Sequence, residues 1–200
     1  MDFTKTKNAL EDRGFKVSVF ANAKDASDYL NKEIDNTTVS FGGSVTLAQM
    51  GLFESLSTHN EMFSHWHIPP GSNADEMRVK AATSESYLTS VNGLAETGEV
   101  INIDGTGNRV GSTCFGHKRL FFVVGCNKIE PTFEKALWRA RNVAAPMNTK
   151  RLNRNTPCAI DGKCHDCRSE HRICNVLTVH WAPARAMLTE VILIDEDLGY

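Results

Sequence analysis

The sequence predicts a layered α/β fold, and three observations carry that prediction. Helical and strand patterns alternate along the chain, Arg119-Leu-Phe-Phe-Val-Val124 is a strong buried-strand signal, and a β-rich run ends abruptly in Gly42-Gly43-Ser44 before a helical pattern. Residues 3–13 carry Phe3, Ala9 and Leu10 at roughly helical spacing, and Gly14 follows as a stop. Phe15 to Phe20 alternates with period two and reads as a strand. Asn22 is placed to cap a helix through Leu30, and Thr37 to Phe41 is the next strand. After the glycine turn, Val45, Leu47, Ala48, Leu52 and Phe53 supply the buried face of a helix. Tyr87 to Val91 reads as a strand, with residues 99–104 as its hairpin partner across GLAETG. Pro131 opens a helix over 131–141, the first-turn position that proline favours. Residues 176–181 and 189–195 return to β patterning and are expected as edge strands.

Composition bounds the function classes. With 200 residues, 41% hydrophobic and 23% charged, the chain has room for one sizeable core. A formal net charge of −2 gives no global attraction to nucleic acid or anionic lipid. No apolar run approaches membrane-spanning length. Neither nucleic acid nor membrane is therefore expected as a partner. The start MDFTKTKNALEDRGF lacks the apolar core of a signal peptide, so the cytoplasm is the expected location. The clearest breaks are Pro69-Pro70-Gly71 and Ala144-Ala145-Pro146, and neither resembles an interdomain linker. A single α/β domain over 1–200 is expected, with a cysteine-rich segment at 156–176 as a C-terminal appendage.

Four cysteines carry the sharpest chemical signal. Cys158, Cys164, Cys167 and Cys174 follow the spacing C-x5-C-x2-C-x6-C in PCAIDGKCHDCRSEHRIC. The Cys164–Cys167 pair is a tight clip, and the outer two complete a four-thiolate set suited to Zn²⁺ or to a 4Fe-4S cluster. The segment is polar, so metal binding would supply the free energy that orders it. His165, His171 and His180 lie close by and are alternatives to one thiolate, though a solvated role is the simpler reading. A reducing compartment disfavours disulfides. Cys114 and Cys126 sit in apolar surroundings and read as buried small residues.

Two glycine turns carry possible ligand chemistry. In the first, Gly42, Gly43 and Ser44 stand between a strand and a helix, where backbone N–H groups favour an anion; an ordinary capped turn is the competing reading. In the second, Asp104, Gly105, Thr106, Gly107, Asn108 and Arg109 combine a hydroxyl-binding carboxylate with a guanidinium able to grip a carboxylate or phosphate. The competing reading is a structural turn with a local Asp104–Arg109 pair. DGTGNR matches neither nucleotide-binding glycine motif. Lys128 follows the strongest strand, at the sheet end where ligands of open α/β sheets sit. The basic run Arg139, Arg141, Lys150, Arg151 and Arg154 reads as a solvated face or subunit contact. His65-Trp66-His67 reads as an ordinary edge segment. No spacing reveals a nucleophile, so catalytic residues are unassigned.

SFGGSVTLAQMGL, TSVNGLAETGEVINIDGTGNRV, VVGCNKI, RNVAAPMNTKRL, TPCAIDGKCHDC and ICN, in that order, resemble the LUD (lactate-utilisation) domain family. The likeness runs from about residue 38 to the end and is closest to short members with a cysteine-rich tail. It implies a three-layer α/β/α domain like that of the ribose-phosphate isomerase, glucosamine-phosphate deaminase and CoA-transferase group. It places an anionic ligand on the two glycine turns. It implies a link to lactate or organic-acid utilisation, beside iron–sulfur oxidoreductase subunits as partners. A homo-oligomer is also compatible with it. Only one four-cysteine set is present, so a chain of several clusters has no place here. Two other functions stay open: an enzyme acting on a phosphosugar or acyl-CoA-like substrate through Asp104, Arg109 and Lys128, and a metal-stapled assembly module without a small-molecule ligand.

Overall fold

A computed structural model describes residues 1–200. The chain opens with α1 (Thr4–Asp12) and β1 (Lys16–Phe20), joined through Gly14 at φ +92°, where glycine is the unstrained choice. α2 (Ala23–Glu33) is capped by the Asn22 side chain, which accepts from the Asp25 amide. β2 (Thr38–Phe41) runs into the glycine turn. The helix expected next is two short ones, α3 (Val45–Gln49) and α4 (Leu52–Leu56), because Gly51 adopts φ +62° between them. β3 (Glu61–Phe63), α5 (Ala74–Ala81) and β4 (Ser86–Ser90) follow.

β4 does not form the expected hairpin. Residues Val100–Asp104 (β6) pair antiparallel with Gly93–Ala95 (β5) instead. β4 stays in the main sheet, parallel to β2 and to β7 (Arg119–Gly125). Between β6 and β7 lies α6 (Asn108–Cys114). β8 (Ile129–Glu130) precedes α7 (Phe133–Arg139), which Thr132 caps, so Pro131 sits just outside the helix. A π turn over Ala140–Ala144 leads into α8 (Ala145–Arg151). Ala144-Ala145-Pro146 is thus no break. The wider π turn comes directly before Pro146, whose missing N–H and ring would strain a regular α-turn. The cysteine segment holds one short helix, α9 (Pro157–Asp161), before β9 (Val176–His180) and β10 (Leu188–Ile194).

Six parallel strands form the main sheet in the order β1-β10-β7-β4-β2-β3. β10 therefore lies between β1 and β7, in the interior of the sheet rather than at an edge. The chain returns to the core after its cysteines, so they lie on an excursion between α8 and β9 and not on a tail. A second sheet, β8-β5-β6-β9, has β9 at its edge as expected.

The strand β7 shows why its sequence is apolar throughout. Phe121 and Val123 pack on one face with Leu30, Leu47 and Leu52 of α2–α4. Leu120, Phe122 and Val124 pack on the other with Leu10 of α1 and with Leu94 and Val100 of the second sheet. The far side of that second sheet is covered by Ala136 and Ala140. The helices expected on this face are thus replaced in part by a small sheet, itself backed by α7.

Candidate functional site

The carboxyl ends of the parallel strands meet at one edge of the main sheet. β2 delivers Gly43 and Ser44, β4 delivers Ser90, β7 leads to Lys128, and β10 leads to Tyr200. These residues line one cleft together with Thr46, Trp66, Asn92, Arg109, Asn148 and Arg151. An outer recess shares Gly43, Trp66, Arg109 and Arg151 with it, and adds His65, Arg78, Asp104, Gly105, Thr106, Asn108 and Arg154. This is the position at which open α/β sheets hold their ligands.

The two glycine turns are therefore neighbours in space, although about sixty residues separate them in sequence. Of the ten ligand residues expected, Gly43, Ser44, Arg109 and Lys128 line the inner cleft, and Asp104, Gly105, Thr106 and Asn108 line the outer recess. Gly42 and Gly107 line neither. Gly42 has a packing reason to be glycine: a Cβ there would lie 2.6 Å from both Arg109 Cγ and the Tyr87 hydroxyl. At Gly43 a Cβ would meet the Trp66 ring at 2.9 Å.

Asp104 and Arg109 do not pair through their side chains. The Asp104 carboxylate accepts from the amides of Thr106 (3.2 Å), Arg109 (2.9 Å) and Val110 (3.1 Å), satisfying donors at the start of α6. The Arg109 guanidinium donates to the Ser90 and Ile103 carbonyls and to the side chains of Asn102 and Asn92. It is spent on tying β4, β6 and the glycine turn together.

Other donors remain for a ligand. The amides of Gly43 and Ser44 make no backbone hydrogen bond, while the Ser44 hydroxyl accepts from Leu47 as a helix cap. Arg151 is held by Asn148 and by the Tyr200 hydroxyl (2.7 Å), with its guanidinium 5.0 Å from the centre of the Trp66 ring. In the outer recess the buried Nδ1 of His65 and Nε of Arg78 have no hydrogen-bond partner. Lys128 is 2% exposed, and its Nζ donates to Thr46 Oγ1 (2.7 Å) and Ser90 Oγ (2.8 Å). Burial holds its pKa well below the usual lysine range, and the Arg139 and Arg109 charges push the same way.

Trp66, Arg151 and Arg154 are site residues that the linear reading assigned elsewhere. Only the folded chain brings the edge segment after β3 and the end of α8 to the same cleft. Arg139, also read as solvated, is buried and donates to the carbonyls of Asn127 (3.0 Å) and Asn92 (2.7 Å).

All six cysteines are free. Cys158, Cys164, Cys167 and Cys174 are each partly buried, and Cys164 and Cys167 lie near enough to act electrostatically on Cys174. Burial raises the Cys174 thiol pKa, opposed by Arg172. The Cys158 thiol contacts the hydroxyls of Thr156 (3.3 Å) and Thr149 (3.4 Å). Nowhere do three His, Cys, Asp or Glu side chains converge as a single metal ion requires. His180 bonds the Thr113 hydroxyl (2.9 Å), His165 bonds Asp161 (2.8 Å), and His171 approaches Glu170 (3.5 Å). Cys114 is exposed, contrary to its expected burial, because it closes α6 at the surface; Cys126 is partly buried. No helix is long and apolar enough to cross a membrane.

The fold is similar to that of a DUF162 family protein from Deinococcus radiodurans, known from a crystal structure at 1.70 Å resolution. The TM-score is 0.56 at 14% identity, covering 97% of this chain and 99% of that one. No curated protein matches the sequence. The family profile described as LUD domain matches residues 3–192, and the chain belongs to the LUD domain family.

Proposed function

We propose that this LUD-domain protein binds a small anion, a carboxylate or phosphate, in the cleft at the carboxyl edge of the main sheet, in the service of lactate or related organic-acid utilisation. The observation that carries this reading is the charge balance of the cleft. Arg109, Arg151 and Arg154 line its two parts, with Arg78 held by Asp75, against one carboxylate side chain, Asp104, which backbone amides already occupy. Arg151 and the amides of Gly43 and Ser44 are the groups most available to an oxyanion. Arg109 acts by fixing the cleft walls. Membership in the family supports the organic-acid context. The test is a melting-temperature screen with lactate, pyruvate and phosphate against chloride at equal ionic strength. At least one should stabilise the wild type, and Arg151→Ala should remove that effect. Equal melting temperatures across the panel would reject an anion site.

The cysteine segment supports a second proposal: Cys158, Cys164, Cys167 and Cys174 hold one metal centre. By donor type the four thiolates suit either a single Zn²⁺ ion or a 4Fe-4S cluster, in which each thiolate binds a different iron. The Arg141 guanidinium 3.7 Å from Cys164 Sγ would offset the charge of such a centre. A cluster would give the protein one electron to exchange with an iron–sulfur oxidoreductase partner. An enzymatic role on a phosphosugar or acyl-CoA-like substrate would use the same cleft, and turnover of such a substrate by the pure protein would be its signature.

A further inference from the structure

Lys128 presents a combination that simple anion binding does not use. It is buried at the floor of the inner cleft, and the partners of its Nζ are hydroxyls rather than a carboxylate. Its two hydrogen bonds go to hydroxyl groups, Thr46 Oγ1 and Ser90 Oγ. A neutral amine has two N–H donors, and both are satisfied this way, leaving the nitrogen lone pair uncommitted. An ammonium would carry a third N–H, and Nζ makes no third hydrogen bond to the protein. Across from the amine lies Gly199, where a Cβ would approach Nζ to 3.2 Å, so a side chain at that position would crowd the nitrogen. The two nearest cations, Arg139 and Arg109, oppose a positive charge on the lysine. An uncharged lysine is a poor clamp for an anion and a good nucleophile.

We propose that Lys128 forms an imine with the carbonyl carbon of a small anionic carbonyl compound, a 2-oxo acid or a phosphorylated aldehyde or ketone, bound in the inner cleft. This rests on the anion-binding reading, since Arg151 and the Gly43–Ser44 amides would seat the anionic group while the carbonyl reaches Nζ. The nitrogen lone pair adds to the carbonyl carbon, and the C=O π pair moves to oxygen. One amine proton passes to that oxygen, with the Ser90 or Thr46 hydroxyl placed to relay it. Loss of the second amine proton and of the hydroxyl as water completes the C=N bond. One amine and one carbonyl give one imine and one water, and no oxidant or reductant takes part.

The experiment is reductive trapping on the full chain. The protein is incubated near neutral pH with glyoxylate or with dihydroxyacetone phosphate, reduced with cyanoborohydride, and mapped by peptide mass spectrometry. Lys128 should be modified at least about tenfold faster than exposed Lys24 and Lys118, because each unit by which a lysine pKa falls gives about ten times more free amine at neutral pH. Excess inorganic phosphate should slow the modification. The faster of the two probes tells whether a carboxylate or a phosphate is seated. Labelling of Lys128 no faster than of the surface lysines with both probes would overturn the proposal. The anion-binding reading fails separately, if neither phosphate nor lactate shifts the melting temperature or slows labelling. Because the readout is on the wild-type chain, it does not depend on whether a Lys128 variant folds.

Discussion

Replacing Gly42 by alanine isolates what the first glycine turn does for the fold. The added methyl would lie 2.6 Å from Arg109 Cγ and from the Tyr87 hydroxyl, and 2.9 Å from Arg109 Cδ. Tyr87 is fully buried and stacks on His117 at 4.8 Å, so it has little room to retreat. The strain falls on Arg109, whose guanidinium bonds four protein groups. Overpacking of this kind costs about 1–3 kcal/mol. Breaking one hydrogen bond to a buried charged group adds about 1.5–3 kcal/mol. Against this, the loss of glycine's freedom in the unfolded chain returns about 0.4–1 kcal/mol. The net expectation is a destabilisation of about 3 kcal/mol, or a melting temperature lower by roughly 6–12 °C for a domain of this size. Gly111→Ala is the matched control, since Gly111 lies inside α6 with no atom within 4 Å of the added Cβ. It should raise stability by about 0.5–1 kcal/mol through helix propensity. Urea unfolding of both variants reads the contrast. If Gly42→Ala falls within about 0.5 kcal/mol of wild type, Arg109 is not confined as described, and the packing argument for Gly42 is wrong.

Other consequences follow from the same geometry. The unfolded chain binds the Lys128 proton more tightly than the folded one, so between the lowered folded value and 10.5 rising pH stabilises the native state. Lys128→Met should flatten that rise, and urea midpoints measured at about pH 7 and about pH 10 will refute this if both proteins change equally. Burial lowers the pKa of His117 and His180 below 6.5, so the unfolded chain takes up their protons first on acidification. The melting temperature should therefore fall as pH drops below 6.5, and replacing both histidines by glutamine should reduce that fall. If the four cysteines hold a 4Fe-4S cluster, anaerobically purified protein should be brown, with about four iron and four sulfide per chain. A colourless protein with about one zinc would make the segment a staple, and a protein holding neither would reject the metal proposal. Gly43→Ala should displace the Trp66 ring, which a Cβ would meet at 2.9 Å. The change should appear in tryptophan fluorescence and in weaker binding of any stabilising anion, with little loss of stability; unaltered fluorescence would contradict it.

Local patterns were legible wherever one residue type had one physical use. Asn22 caps α2, Gly14 ends the turn after α1, and the apolar run of β7 is apolar because both faces of its strand are covered. The α/β class followed from those alternations. The two glycine turns were also visible as loops beside a sheet end, because glycine after a strand has few other uses. What remained hidden depended on partners far away in the chain. Nothing in residues 188–194 distinguishes an edge strand from one between β1 and β7, since burial on both faces comes from α1 and α2–α4 at the other end of the chain. The hairpin was misassigned because three residues, Gly93–Ala95, suffice to pair with β6 once α7 covers them. Arg109, read as a ligand residue, lines the cleft and also ties β4 to β6, while Arg151, read as solvated, lines the same cleft. A guanidinium suits both uses equally, and only its neighbours choose between them. The sequence by itself determined the α/β class, the main-sheet strands β1, β2, β4 and β7 and the loops able to hold chemistry. The tertiary structure decided which of them share a cleft and left Lys128 without a counter-ion, because charge balance and burial are properties of residues brought together from distant parts of the chain.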